Sequence, residues 1–120
     1  ALFALVLAAG VVLAQDAAPL TPAEAAKKVD QKVTVELTVK SAGGKANVFL
    51  NSEDDFKSDK NFTIFVSAKA VEKFKEAKVD DVGAHFKGKT VRVTGTVTLF
   101  KEKAQIKVEE PAQIKVVEKK

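Results

Sequence analysis

Few side chains in this 120-residue sequence could act as catalysts. His85 is the only histidine, and the chain contains neither cysteine nor tyrosine. The serines, at positions 41, 52, 58 and 67, all fall where turns or helix caps are expected, so none has a partner base. Because nucleophilic and acid–base catalysis need paired groups within hydrogen-bond reach, the sequence predicts no catalytic residue, no cofactor and no enzymatic activity.

Carboxylates are concentrated in one short polar segment, at Glu53, Asp54, Asp55 and Asp59. Carboxylate oxygens are ligands that calcium prefers. The segment nevertheless lacks the glycine and the terminal glutamate of an EF-hand loop, and two lysines interrupt it. We therefore interpret it as a solvated loop and assign no metal ligand.

Aromatic and cationic residues offer the best candidates for binding. Phe49 and Phe65 are out of phase with the inward-facing residues of their expected strands, and so is Phe100. Exposed rings beside cations form a stacking surface for single-stranded polymers. The predicted ligand-binding residues are Phe49, Phe65, Arg92, Lys101 and Lys103. The alternative is that these rings cover a second small core.

The charge of the chain permits a polyanionic partner without requiring one. The formal net charge is +4, and nearly all of the positive charge is carried by lysine. Arg92 is the only arginine. Dedicated nucleic-acid readers usually carry arginines for bidentate contacts to bases and phosphates, and such residues are almost absent here.

The first 14 residues, ALFALVLAAGVVLA, are apolar and uncharged. They are short for a membrane span, which needs about 20 residues, and typical of the apolar part of a secretory signal peptide. Because the chain begins without methionine or a basic leader, we expect residues 1–14 to be a truncated signal peptide. A buried N-terminal helix and an uncleaved membrane anchor are the alternatives. The sequence thus predicts a periplasmic or secreted protein with no stable membrane insertion after cleavage.

Residues 15–31 are expected to form a linker and a short helix at 22–29, capped by Thr21 with Glu24 completing a capping box. Period-two alternation then predicts strands at 32–40, 46–51, 61–66, 89–100 and 105–109, and it resumes at 113–117. Residues 41–45 and 78–87 are interpreted as a turn and a loop. Gly95 interrupts an inward row, which indicates a bulge or a sharp bend.

A second helix is predicted from Ser67 to about Ala77, between the third and fourth strands. The inward rows of the strands predict a core. Its members include Val35, Leu37, Ile64, Val93, Val97 and Ile106. The fold class is therefore all-β with one or two short helices. The favoured architecture for residues 32–118 is a five-stranded, partly open Greek-key barrel of the OB-fold type, with a flat antiparallel sheet and one packed helix as the alternative.

The sequence also resembles a family. The segments AAKKVDQKVTVELTV, NVFLNSEDDF and NFTIFV, followed by GKTVRVTGTVTLFKEKAQIKVEEPAQIKVV, are similar to small exported bacterial OB-fold proteins described as nucleic-acid-binding domains. The resemblance covers residues 24–118. The turn FKEKAQ differs from the aromatic-glycine-lysine-proline form of such domains.

This resemblance implies an OB fold and an exported binding module for single-stranded nucleic acid or another anionic polymer. The alternative function is that of a structural or interaction protein, which binds another exported protein through a strand edge or a loop.

Overall fold

The computed structural model describes residues 19–55 and 57–117, so the expected signal peptide lies outside the described part. The α-helices are α1 (Pro22–Ala26), α2 (Ala68–Glu76) and α3 (Val82–Phe86), and Pro111–Gln113 forms a 3-10 turn. The strands are β1 (Lys32–Thr38), β2 (Ser41–Gly44), β3 (Val48–Asn51), β4 (Thr63–Val66), β5 (Thr90–Phe100), β6 (Lys103–Val108) and β7 (Ile114–Val116). Within the described ranges, no helix has the length and hydrophobicity needed to cross a membrane.

The strands form one mixed sheet of seven strands, in the order β1-β5-β6-β4-β3-β2, with β7 also paired to β5. The pair of β4 and β6 is parallel and the other pairs are antiparallel. The two ends of this path are consecutive in the chain, joined by Val39 and Lys40. The Lys40 amide donates to the Asn51 carbonyl at 2.9 Å. The parallel pair excludes a purely antiparallel sheet.

The expected turn at residues 41–45 is wrong, because Ser41–Gly44 forms β2. Its residues pair in register with β3, from Ser41 opposite Asn51 to Gly44 opposite Val48. The glycines therefore end a strand. Gly44 has a φ of +93°, and a Cβ atom there would lie 2.1 Å from the Asn47 carbonyl oxygen. The left-handed backbone at Gly44 starts the turn into β3.

The two predicted helix caps are confirmed. The Thr21 hydroxyl accepts from the Glu24 amide at 3.2 Å, and the Glu24 carboxylate accepts from the Thr21 amide at 2.9 Å. Helix α1 then ends at Ala26, three residues before the predicted end at residue 29. Ser67 caps α2 through the Ala70 amide, as expected.

Helix α3 corrects the predicted loop at residues 78–87 and brings the number of short α-helices in residues 19–55 and 57–117 to three. The Asp81 carboxylate caps it by accepting from the Ala84 amide at 3.0 Å. Val82 and Phe86, four residues apart, bury one face, and the Phe86 ring packs edge-on against Phe74 of α2 with centroids 5.7 Å apart. Five residues are too few for helical periodicity to stand out in the sequence.

All six of the core residues named from the sequence are buried, which confirms the predicted faces of the strands. The bulge that the sequence suggested at Gly95 is absent from the pair of β1 and β5. The register of β1 with β5 runs unbroken through Val33 opposite Gly95, so there is no bulge in this pair. A Cβ atom on Gly95 would lie 2.6 Å from the Ile106 side chain. Glycine is required there because Ile106 occupies the space of a side chain.

Candidate ligand-binding groove

A groove of about 560 Å³ opens on the outer face of the sheet. Its walls come from the β2–β3 hairpin, from β4 and from the β5–β6 hairpin. Phe49 and Phe100 contribute aromatic rings, while Gly43 and Gly44 leave the backbone open on one side. Lys101 and Lys103 also line the groove. The surface is therefore mostly apolar, with cations at one end.

Phe49 and Phe65 are paired across β3 and β4, two of the strands beside the groove. They are direct partners in the β3–β4 register, and their ring centroids lie 5.3 Å apart at an angle of 51°. Phe49 is 37% exposed and Phe65 is half-buried. Both rings stand on the outer face, apart from the buried core, as their phase in the sequence predicts.

The β5–β6 hairpin presents Phe100 and Lys101 at the other side of the groove. Phe100 is 58% exposed, and the Lys101 ammonium lies 5.5 Å from the centroid of its ring. Lys101 and Glu102 form a two-residue turn with φ of 50° and 68°. Positive φ at both central positions is the type I′ pattern, which most residues other than glycine and asparagine adopt at a cost.

Lys103 fastens the loop at residues 52–60 to the sheet. Its ammonium donates to the carbonyl oxygens of Lys57 and Ser58 at 3.2 Å each, and it lies 3.6 Å from the Asp59 carboxylate. Two of its three N–H donors are used by these carbonyl oxygens and its charge is paired with Asp59, so Lys103 shapes the wall of the groove.

The other end of this loop is fixed by a network of amides and hydroxyls. The Asn51 side chain donates to the Ser41 hydroxyl at 3.3 Å and accepts from the Asn61 amide and the Thr63 hydroxyl at 3.3 and 3.1 Å. Asn51 and Asn61 are buried. Buried polar groups that are fully hydrogen-bonded hold a single geometry, so this network sets the position of the loop beside the groove.

The structure does not bring Arg92 to the groove. Its Nε atom donates to the Glu36 carboxylate at 2.9 Å, and its register partners are Glu36 on β1 and Lys115 on β7. Thr98, which pairs with β6 beside the groove, is about 20 Å further along the strand at roughly 3.3 Å per residue. The predicted group of five residues is thus divided: Phe49, Lys101 and Lys103 line the groove, Phe65 supports Phe49 from outside its lining, and Arg92 belongs to a separate ion pair.

Gln105 lines the groove and was not among the predicted residues. The alternation of β6 places it on the same face as Lys103 and Lys107, while Ala104 and Ile106 are buried. That alternation was a usable signal, because a polar residue between two outward lysines must share their face. Among the described residues, no group of three or more histidine, aspartate and glutamate side chains could hold a metal ion.

Comparison with known proteins shows similarity of fold only. No family model matches the chain, and no curated protein matches its sequence. An asparaginyl-tRNA synthetase from Pyrococcus horikoshii is similar at a TM-score of 0.56 and 21% identity, over 82% of this chain and 23% of the synthetase. A putative aspartyl-tRNA synthetase from Leishmania major Friedlin is similar at a TM-score of 0.54 and 15% identity, over 81% of this chain and 20% of that protein.

A third solved structure matches along nearly its whole length. It is the OBody AM1L10 bound to hen egg-white lysozyme, with a TM-score of 0.56 and 16% identity, covering 83% of this chain and 93% of the OBody. The chain thus spans about a quarter or less of the synthetases and most of the OBody. These likenesses support a small, mostly-β domain with an OB-fold-like architecture.

Proposed function

We propose that the chain is a non-enzymatic binding module whose groove takes single-stranded nucleic acid. The observation that carries this proposal is the grouping of exposed Phe49 and Phe100 in one groove with Lys101 at its edge. Every nucleobase has an aromatic face that can stack on a phenylalanine, and the phosphates between bases attract a nearby cation. An unpaired strand is required, since bases within a duplex do not offer their faces.

The proposal includes a five-stranded barrel in which β1 and β2 are the two halves of one bent strand. In its support, only Val39 and Lys40 separate these halves, and the Lys40 amide already bonds to Asn51 of β3. In that arrangement the groove lies on the second and third strands, between the first and last hairpin loops. This is the surface through which OB folds bind oligonucleotides and oligosaccharides. The synthetases that share the fold act, by their names, on tRNA.

Binding of a labelled oligothymidylate of about 12 nucleotides, a length within the range of OB-fold sites, tests the proposal. Phe100→Ala should weaken binding by about 1–3 kcal/mol, the contribution of one stacked base. Leu99→Ala is the matched control, since Leu99 is 56% exposed against 58% for Phe100 but lies outside the groove lining. The control should bind as the unchanged protein does. Equal affinity of the two variants, or no binding of either oligothymidylate or oligoadenylate, would contradict the proposal.

Competition between ligands and salt separates nucleic acid from other polyanions. Heparin and duplex DNA should compete poorly, because neither presents unstacked bases to Phe49 and Phe100. Lys101→Glu should weaken binding and lower the salt dependence by about one phosphate contact. Strong competition by heparin, with Phe100→Ala unchanged, would favour a purely ionic site for an anionic polymer.

Export is a further part of the proposal, supported by the apolar residues 1–14. The protein should be found outside the cytoplasm with its N-terminus near Gln15, because a signal peptidase cleaves after a small residue such as Ala14. N-terminal sequencing of the protein isolated from its source checks this. Recovery of the protein with residues 1–14 attached would contradict cleavage.

Binding of another protein is the second candidate function. The OBody structure shows that a similar chain binds lysozyme. Among the described residues, β7 pairs only with β5, so its other edge is available to a partner strand. Val116 lies on β7 and is 40% exposed. Such a partner would add to the strand edge through backbone hydrogen bonds and apolar contacts. Its binding should resist salt and fail in Val116→Glu, while Phe100→Ala should leave it unchanged.

A further inference from the structure

Gln105 places a side-chain amide in the groove without a hydrogen-bond partner among the described residues. The residue is half-buried, and no buried side-chain nitrogen or oxygen in the described part lacks a partner, so its amide atoms face the solvent of the groove. Asn51, the other side-chain amide that lines the groove, is already hydrogen-bonded to Ser41, Asn61 and Thr63. Gln105 therefore has donor and acceptor groups to offer a ligand.

One neighbour of Gln105 is Phe100, a ring that would stack a base in the groove. On the outer face it stands opposite Thr63 of β4 and Thr98 of β5. Phe100 lines the groove and is two residues along β5 from Thr98. Diagonal neighbours in an antiparallel pair lie about 7–8 Å apart, within reach of aromatic side chains. A base stacked on Phe100 would thus have the Gln105 amide within reach of its edge.

We propose that Gln105 reads the base in the groove and selects adenine. This inference rests on the proposed binding of single-stranded nucleic acid. A glutamine amide forms two parallel hydrogen bonds with adenine, donating to N7 and accepting from N6. In a single strand the edge that carries N7 and N6 is open to such contacts. The two lysines of the β5–β6 hairpin do not supply this selection, because Lys103 is bonded to the loop at residues 52–60 and Lys101 lies over Phe100.

The experiment compares oligoadenylate with the same oligomer containing 7-deaza-adenine, each about 12 nucleotides long. The modified base keeps the ring stack and the N6 amine but has no acceptor at position 7. The unchanged protein should bind the modified oligomer roughly three- to tenfold more weakly, the effect of one lost hydrogen bond. Gln105→Met, which keeps the length and packing of the side chain, should bind both oligomers equally.

Two results would overturn this inference. One is equal binding of the two oligomers by the unchanged protein. The other is a loss of affinity on the 7-deaza substitution that is as large in Gln105→Met as in the unchanged protein. Thermal unfolding of the variant confirms that it is folded, and if Gln105→Met fails to fold, equal binding of the two oligomers by the unchanged protein still overturns the inference.

Failure of the inference is distinguishable from failure of the proposed function. If oligoadenylate and oligothymidylate bind equally and both need Phe100, the groove binds nucleic acid and only the selection by Gln105 is wrong. If neither oligomer binds, the proposed function fails and the inference fails with it.

Discussion

Phe49 and Phe65 pack ring against ring across β3 and β4, with centroids 5.3 Å apart, on the outer face of the sheet. Aromatic cross-strand pairs stabilise a sheet and also present a flat apolar surface. The Phe65 ring is the more deeply covered of the two, since Phe49 is exposed and Phe65 is half-buried. The pair therefore has a structural and a binding contribution that can be measured separately.

Phe65→Ala should lower the free energy of unfolding by about 1–2 kcal/mol, less than the roughly 3–5 kcal/mol of a fully buried phenylalanine. Phe74→Ala is the comparison, because Phe74 is only 5% exposed in the contact of α2 with α3. Urea denaturation measures both losses. If Phe65→Ala costs as much as Phe74→Ala, Phe65 is a core residue, and Phe49 and Phe100 alone form the aromatic part of the binding surface.

Truncation of the core tests the assignment of the strand faces. Ile64→Ala should cost about 2–5 kcal/mol and Val93→Ala about 2 kcal/mol, because both side chains are fully buried. Val116→Ala, at an exposed position on β7, should cost less than about 0.5 kcal/mol. Chemical denaturation of the three variants checks the order. A loss at Val116 as large as that at Ile64 would place β7 in a buried interface.

The strand faces could be predicted from the sequence because burial on one side of a sheet imposes a period of two. Val33 to Val39 and Val91 to Val97 carry that period plainly. The same reasoning failed where elements are short. Helix α3 has five residues, and β2 is a strand of four with two glycines, so neither has room for a periodic signal.

Only part of the candidate site could be predicted, because some of its contacts join residues that are distant in the sequence. The outward positions of Phe49 and Phe65 follow from phase within a single strand. The partners of Arg92 and Lys103 depend on contacts with Glu36 and with the loop at 52–60, which lie 45 to 56 residues away in the chain. Those contacts are set by strand register and by the path of the loop, and local patterns carry no information about either.

Gly95→Ala should destabilise the domain by about 1–3 kcal/mol, because the added methyl would overlap the Ile106 side chain. The double variant with Ile106→Ala should lose less than the sum of the two single changes, since the second change removes the overlap. Denaturation of all four proteins gives the coupling. Additive losses would show that Gly95 is required by the backbone and not by Ile106.

The ion pair of Lys73 and Glu110 joins α2 to the 3-10 turn, and the hydrogen bond from Lys73 lowers the pKa of the Glu110 carboxyl. A carboxyl with a lowered pKa in the folded state adds stability above its unfolded pKa of about 4.3, and that stability is lost as the pH falls through the folded value. Lys73→Met should therefore reduce stability at neutral pH and flatten its fall in acid. Urea midpoints between about pH 3 and 7 measure this. Lys75→Met, which affects only a long contact with Glu72, is the control.

The turn of the β5–β6 hairpin should gain stability from residues that accept positive φ. Lys101 and Glu102 have φ of 50° and 68°, a backbone conformation in which an ordinary side chain costs about 1–2 kcal/mol. Glu102→Gly should raise the free energy of unfolding by about 0.5–1 kcal/mol, since glycine removes that cost and adds some freedom to the unfolded chain. Lys101→Asn together with Glu102→Gly gives the preferred pair for a type I′ turn and should add further stability.

These two turn variants also separate stability from binding. Glu102→Gly keeps the Lys101 ammonium beside Phe100 and should bind the oligonucleotide as tightly as the unchanged protein. The double variant lacks that cation, so its binding should weaken and depend less on salt although its fold is more stable. Denaturation and binding on the same samples measure both effects. A less stable Glu102→Gly would show that the turn is not left-handed, and full binding by the double variant would remove Lys101 from the site.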